Sequence, residues 1–183
     1  MTWRAAVLAL VLVLAGCASP MRPAPDEPGA DAAPVLRLPP ASLGRELAAQ
    51  QQLAVTVKGK TNRIDVLLEA DARAVRLALV SMGQTAARLE WDGQRLTETR
   101  SPWLPAVVSG ERILSDLQLA LWPEEAVRAA LPAGWFLDVT ASGRVLRQHT
   151  TTVATVAFPS PSRIELDQLR DGYHLVIDTR GMP

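Results

Sequence analysis

Few side chains in this sequence are able to do chemistry, and they are scattered. The 183 residues include one cysteine, Cys17, and two histidines, His149 and His174. A thiol is a nucleophile, and an imidazole transfers protons or binds a metal. No cysteine, second histidine or carboxylate lies near either imidazole at the spacing of a metal site. Neither histidine is therefore predicted to be catalytic or metal-binding.

The acidic residues Asp116, Glu124 and Glu125 also have a simpler interpretation than catalysis. They fall in segments predicted below to be helical, where they fit a solvated helix face and the positive N-terminal end of a helix dipole. The sequence contains no glycine-rich phosphate loop, paired-cysteine metal site or nucleophile elbow. It predicts a protein that is not an enzyme, with no catalytic residue, no metal and no cofactor.

The residues before Cys17 have the order of a secretory signal. Arg4 precedes an apolar run, residues 5–14, which is too short to cross a bilayer, and Ala15-Gly16 supplies the small residues before a signal-peptidase cut. The tetrapeptide ending in Cys17 resembles a bacterial lipobox, where a diacylglyceryl group is joined to the cysteine sulfur as a thioether. An ordinary cleaved signal with an incidental cysteine is the alternative.

Lipidation at Cys17 would anchor the chain. Lipoproteins of this type carry two or three acyl chains, palmitate among them, and each buried methylene contributes about 0.8 kcal/mol. Ala18 follows, rather than the aspartate that marks inner-membrane retention in enterobacterial lipoproteins. The expected location is the periplasmic face of the outer membrane. We predict a signal peptide over 1–16, a lipidated, proline-rich tether over 17–41 and one domain over 42–181.

Composition limits the partners. The chain has 19 basic and 19 acidic residues, so it has no field that would attract nucleic acid. Its four tryptophans beyond the signal suit either a packed core or a cavity wall. Trp103 differs because it lies in a proline-flanked loop with Leu104, where it would close a pocket or touch a membrane interface.

Alternation with period two predicts antiparallel strands. It occurs around residues 53–57, 64–68, 75–79 and 87–91, where Asp92-Gly93 suits a two-residue hairpin turn. Further strands are expected at 94–100, 135–140, 144–148, 152–158, 163–169 and 173–179, with turns at Ser142-Gly143 and Asp171-Gly172.

Between the fifth and sixth strands the apolar spacing becomes helical. One stripe comprises Ile113, Leu114, Leu117, Ala120 and Leu121, with Ser109 as N-cap. Trp122-Pro123 should end this helix and begin a second one. The prediction is an α+β fold in which a strongly curved antiparallel sheet, an incomplete β-barrel, has two short helices inserted mid-chain as a plug or lid. Periodicity leaves open whether its interior is solid or hollow.

Three runs resemble a family of bacterial outer-membrane lipoproteins of unknown function, often encoded beside aryl polyene synthesis genes. They are residues 38–44 (LPPASLG), 77–84 (LALVSMGQ) and 113–123 (ILSDLQLALWP). More distantly, the order of elements is similar to LolB, the outer-membrane lipoprotein that receives other lipoproteins from the carrier LolA. That resemblance implies an apolar cavity for acyl chains, a LolA-like periplasmic carrier as partner, and an exposed apolar loop residue that contacts the membrane.

Mapped onto this chain, the resemblance implies that Met82 contacts the membrane, and Trp103 and Leu104 are predicted to do so from their place in the proline-flanked loop. The implied cavity lining consists of Val55, Val57, Val66, Leu68, Leu77, Leu79, Leu89, Trp91, Leu117, Leu121, Trp122 and Trp135. The leading hypothesis is a protein that shelters acyl chains or a lipid-like molecule for transfer. One alternative is a structural or assembly lipoprotein with a solid core containing Trp91 and Trp122. A lipid-modifying enzyme that depends on His149 or His174 is another.

Overall fold

A computed structural model describes residues 33–103 and 109–180 of the chain. The predicted signal peptide, Cys17, most of the predicted tether and Leu104 lie outside the described residues. None of the helices within them is long and apolar enough to span a membrane.

The described residues form one sheet of ten antiparallel strands with two helices, and the sheet is not closed. A 3-10 turn at Pro40–Leu43 precedes the first strand. The strands are β1 Leu47–Val57, β2 Lys60–Ala70, β3 Val75–Ser81, β4 Gln84–Trp91, β5 Leu96–Arg100, β6 Trp135–Thr140, β7 Gly143–Gln148, β8 Thr151–Ser160, β9 Arg163–Gln168 and β10 Tyr173–Arg180. The helices are α1 Gly110–Leu121 and α2 Glu124–Ala130.

The sheet consists of two meanders joined at its centre. Strands β1 to β5 run outward in one direction and β10 to β6 in the other, and β1 pairs with β10 in the middle. The edge strands are β5 and β6. The predicted ten strands with two helices between the fifth and sixth are confirmed, and the open antiparallel sheet is consistent with the predicted curvature.

Strand alternation places one continuous apolar surface on one side of the sheet. In the first meander Leu68 pairs with Leu77, and Leu77 with Leu89, so their side chains share a face. In the second meander Leu166 lies between Val156 and Leu175 in the same way. All six side chains are buried in one hydrophobic core.

Helix α1 packs on this core. Its predicted N-cap is confirmed, because the Ser109 hydroxyl accepts a hydrogen bond from the Arg112 backbone N–H at 3.2 Å. The helix ends at Leu121, where the Arg144 guanidinium donates to the carbonyls of Leu119 at 2.7 Å and Trp122 at 2.8 Å. A cation at the C-terminal end of a helix also complements its dipole.

Two predicted turns differ from the structure. The loop between β4 and β5 has four residues, since Asp92 Oδ1 accepts from the backbone N–H groups of Gln94 at 2.8 Å and Arg95 at 2.7 Å. This Asx turn delays the start of β5 to Leu96. Gly143 belongs to β7 rather than to a turn, and a Cβ there would overlap the Val156 carbonyl oxygen.

The last part of the predicted tether belongs to the domain. Leu36 and Leu38 are buried, and their backbone N–H groups donate to Ser115 Oγ at 3.0 Å and to Gln118 Oε1 at 2.9 Å. Gln118 Nε2 returns a bond to the Leu38 carbonyl at 3.0 Å. The boundary predicted at residue 41 is therefore wrong. Polar side chains of α1 supply the partners that a neighbouring strand would otherwise give to this segment.

Gln118→Leu should detach this segment from α1. The Leu38 carbonyl would still accept a hydrogen bond from the Trp91 indole N–H at 2.7 Å. The Leu38 N–H, however, would be left buried without a hydrogen-bond partner. We expect the free energy of unfolding to fall by about 1–3 kcal/mol, measured by urea denaturation. Gln84→Leu, at an exposed position, is the control and should change it by no more than about 0.5 kcal/mol. Equal stability of the two variants would contradict this role.

Candidate functional site

A pocket of about 260 Å³ lies between α1 and the central strands. Most of its wall is apolar, and seven of its eighteen described lining residues are polar or charged. The lining residues are Gln51, Leu53, Val55, Asn62, Arg63, Ile64, Val66, Leu77, Leu79, Ser81, Arg100, Trp103, Ile113, Asp116, Leu117, Tyr173, Leu175 and Ile177.

The apolar wall follows from the register of the central strands. Leu53 of β1 lies between Ile64 of β2 and Ile177 of β10, so these three side chains share one face. Leu53 and Ile64 are only half-buried, although they pack against the core. Helix α1 contributes Ile113 and Leu117 to the opposite wall. The space left between helix and sheet is the pocket.

One wall of the pocket carries a buried acid. Asp116 is only 3% exposed. Its Oδ1 accepts from Gln168 Nε2 at 2.6 Å, and its Oδ2 accepts from the Tyr173 hydroxyl. Burial raises the pKa of Asp116 to about 6, against the opposing effect of these two hydrogen bonds and the Arg112 charge. Burial, and next the Asp116 charge, also raise the pKa of Tyr173.

The interpretation of Asp116 as part of a solvated helix face is wrong. Every residue of α1 from Leu114 to Ala120 is buried, because the helix packs against the sheet on one side and residues 33–40 on another. Among the described side chains, Gln168 Oε1 is buried next to this acid without a hydrogen-bond partner. The polar residues Ser115, Asp116 and Gln118 of the helix thus face the protein interior.

The mouth of the pocket is basic and aromatic. Arg63 is exposed, Trp103 is 47% exposed, and Arg100 pairs with Glu98 at 2.6 Å. Trp103 therefore both lines the pocket and reaches the surface. The two roles predicted for it, closing a pocket or touching a membrane interface, stay predictions.

The structure brings only part of the predicted lining to the pocket. Val55, Val66, Leu77, Leu79 and Leu117 line it. Leu68, Leu89, Trp91 and Trp122 lie instead in the solid core. Val57, Leu121 and Trp135 are half-buried away from the pocket wall.

The packing of residues 33–43 explains why only part of the predicted lining borders the pocket. The Trp91 indole N–H donates to the Leu38 carbonyl at 2.7 Å, and that of Trp122 to the Pro39 carbonyl at 3.4 Å. Residues 33–43 therefore pack against this part of the core, and none of them lines the pocket. Trp91 and Trp122 consequently have the packing that the solid-core alternative expects.

Most of the lining residues that sequence reasoning missed come from β1, β2, β10 and α1. Leu53 and Ile64 stand in the alternating runs already recognised, and Leu175 and Ile177 in the last predicted strand. The missing information was that β10 pairs with β1.

The two histidines lie away from the pocket. His149 is exposed in the turn after β7, and His174 Nδ1 lies 2.7 Å from Asp167 Oδ1. Within residues 33–103 and 109–180, no cluster of histidine, cysteine and acidic side chains could hold a metal ion.

Met82 stands at the tip of the β3–β4 hairpin and is 90% exposed. Its φ is 52° and that of Gly83 is 73°, the left-handed pair that a two-residue hairpin turn requires. This conformation is unfavourable for a non-glycine residue. The contact with a membrane that was predicted for Met82 stays a prediction. Leu104, predicted to share that contact, is outside the described residues.

A family model described as "Protein of unknown function (DUF3261)" matches residues 48–181, which include all ten strands but the first residue of β1. None of the curated proteins matches the chain.

Proposed function

We propose that this chain, which belongs to the DUF3261 family, binds an acyl chain or a similar lipid-like molecule in the pocket under α1. The observation that carries the proposal is a mostly apolar wall built from Leu53, Ile64, Leu79 and their neighbours. A dry cavity of about 150 Å³ holds benzene, and at the same volume per carbon atom a pocket of about 260 Å³ accepts roughly ten carbon atoms.

Burial of apolar surface can supply the affinity. It contributes about 25 cal/mol for each Å² removed from water, so one chain is held without any charged contact. The proposal includes no bond-breaking step, and the protein acts by transfer or insertion at the outer membrane. No enzyme activity, metal or cofactor is proposed.

The proposal extends to fold type and location. An open antiparallel sheet with a helix on its concave face supports a LolA/LolB-like incomplete barrel. Lipidation of Cys17 would anchor the chain on the periplasmic face of the outer membrane. A LolA-like carrier would deliver the ligand, and Met82 with Trp103 would contact the bilayer.

A blocking side chain in the pocket tests the binding. The full chain carrying Cys17→Ser lacks the predicted acylation site, so lipid found with it by native mass spectrometry comes from the domain. We expect this protein to bind a fluorescent fatty acid, and Leu53→Trp to weaken that binding at least tenfold by filling the pocket. Ala78→Trp, between the lining residues Leu77 and Leu79 but on the other face of β3, is the control and should leave the affinity unchanged.

A lipid-free protein that also fails to bind the fluorescent fatty acid would overturn the proposal. That result would favour the second candidate, a structural or assembly lipoprotein that docks on an envelope partner. One observation supports this candidate: Trp91 and Trp122 are fully packed in a solid core.

A further inference from the structure

The charged groups of the pocket are separated by depth. Asp116 is buried in the wall formed by α1, whereas Arg63 and Arg100 border the pocket nearer the surface. An occupant therefore meets a negative group inside and positive groups at the mouth.

The inner wall disfavours an anion. With a pKa of about 6, the Asp116 carboxyl is ionised at pH 7.5. Two like charges about 4 Å apart, at an effective dielectric constant of about 20, repel strongly enough to lower affinity roughly a thousandfold. Asp116 also accepts two hydrogen bonds already, from Gln168 and Tyr173. A ligand carboxylate or phosphate is thus excluded from this end.

The mouth favours an anion. Within residues 33–103 and 109–180, Arg63 forms no ion pair, and Asp65, two residues along the strand, lies 4.0 Å from Arg180 and accepts from Gln52 at 3.3 Å. A guanidinium offers donors in a planar fork that matches a carboxylate or a phosphate. Arg100 is already paired with Glu98, so Arg63 is the cation left to meet a ligand.

We propose that the pocket takes a single-chain anionic amphiphile, whose carboxylate or phosphate stays at Arg63 while its apolar chain runs inward toward Asp116. This inference rests on the proposed function and adds the class of ligand and its direction. The shared chemistry is one anionic head group on one chain. A free fatty acid and a single-chain phospholipid both have it.

Ten-carbon probes, matched to the pocket volume, test the head-group preference. The full chain carrying Cys17→Ser is loaded with the uncharged dye N-phenyl-1-naphthylamine, and decanoate, decyl phosphate and decanol displace it at pH 7.5. We expect both anions to bind about tenfold more tightly than decanol, and Arg63→Gln to remove that advantage without changing decanol affinity. Arg88→Gln is the matched control, being an exposed arginine of β4 without an ion pair in the described structure and away from the pocket.

A second probe tests the inner end. Decanedioate, the ten-carbon dicarboxylate, has a carboxylate at each end, so one of the two must approach Asp116. It should bind at least a hundredfold more weakly than decanoate, and Asp116→Asn should recover most of that loss.

The outcomes separate this inference from the proposed function. If neither the dye nor any ten-carbon probe binds, the proposed function itself fails. If decanol and the anions bind equally with or without Arg63, or if the dioate binds as well as decanoate, the pocket binds chains but the assigned direction is wrong. Preference for only one of decanoate and decyl phosphate identifies the source of the head group.

Discussion

The protein should become more stable as the pH falls from 7.5 to 5, and Asp116→Asn should abolish most of that gain. Asp116 has a folded-state pKa raised from 3.8 to about 6. The folded state therefore binds the proton more tightly than the unfolded state. Stability from this group is fully present below pH 3.8 and is lost as the pH rises through 6.

The size of this change in unfolding free energy follows from how far the pKa of Asp116 is raised. A displacement of 3.8 to about 6 corresponds to about 3 kcal/mol in full, of which roughly half is gained between pH 7.5 and 5. At pH 7.5 the asparagine variant should be the more stable protein by up to about 3 kcal/mol, because an amide has no charge to desolvate. Its oxygen can still accept from Tyr173, and its nitrogen can donate to a flipped Gln168 amide.

Urea denaturation at several pH values between 5 and 7.5 measures this effect. The range avoids the titration of Asp71, Asp92 and Asp138, because their lowered pKa values give a stabilising contribution that is lost only when the pH falls below about 4. Asp65→Asn removes an exposed carboxyl of β2 and is the control, with the pH slope of the wild type expected. Parallel slopes for wild type and Asp116→Asn would show that water reaches the acid.

An acid that costs stability in the wall of a pocket agrees with a role in ligand binding. Residues that conflict with the packing around them are concentrated at functional sites. Asp116 is the only acidic side chain among the described residues that line the pocket. An acid in an apolar wall is what the proposed exclusion of anions requires.

Local patterns in the sequence predict the elements well. The alternation of Leu77 and Leu79, the Ser109 cap and the break at Pro123 depend on residues that are close in the chain, so their physics is visible in a short window. The predicted strands consequently match nearly all observed strands within a few residues. The four-residue turn at Asp92 is an exception, because a side chain there competes with the backbone for partners.

The site depends on contacts that no short window contains. Asp116 is paired with Gln168 and Tyr173, which lie 52 and 57 residues away. Leu53 meets Ile177 only because the first and last strands pair at the sheet centre. The alternation in each strand predicts which side chains face the interior. Which of those side chains border the pocket depends on where residues 33–43 pack.

Trp122→Ala should be the most destabilising of these substitutions and should leave ligand affinity unchanged. Trp122 is 0% exposed and packs in the core, and its indole N–H donates to the Pro39 carbonyl. Truncating a buried tryptophan leaves a cavity and costs about 3–5 kcal/mol of unfolding free energy.

Trp103→Ala should give the opposite result. Trp103 is 47% exposed and borders the pocket, so its loss should change stability by less than about 1 kcal/mol and weaken binding of the fluorescent fatty acid. Denaturation and titration of both variants decide whether Trp122 belongs to the core or to a lid. Trp122→Ala could instead enlarge the binding site at little cost in stability. Trp122 would then be part of the predicted helical lid, and residues 33–43 would be the segment that moves to admit the ligand.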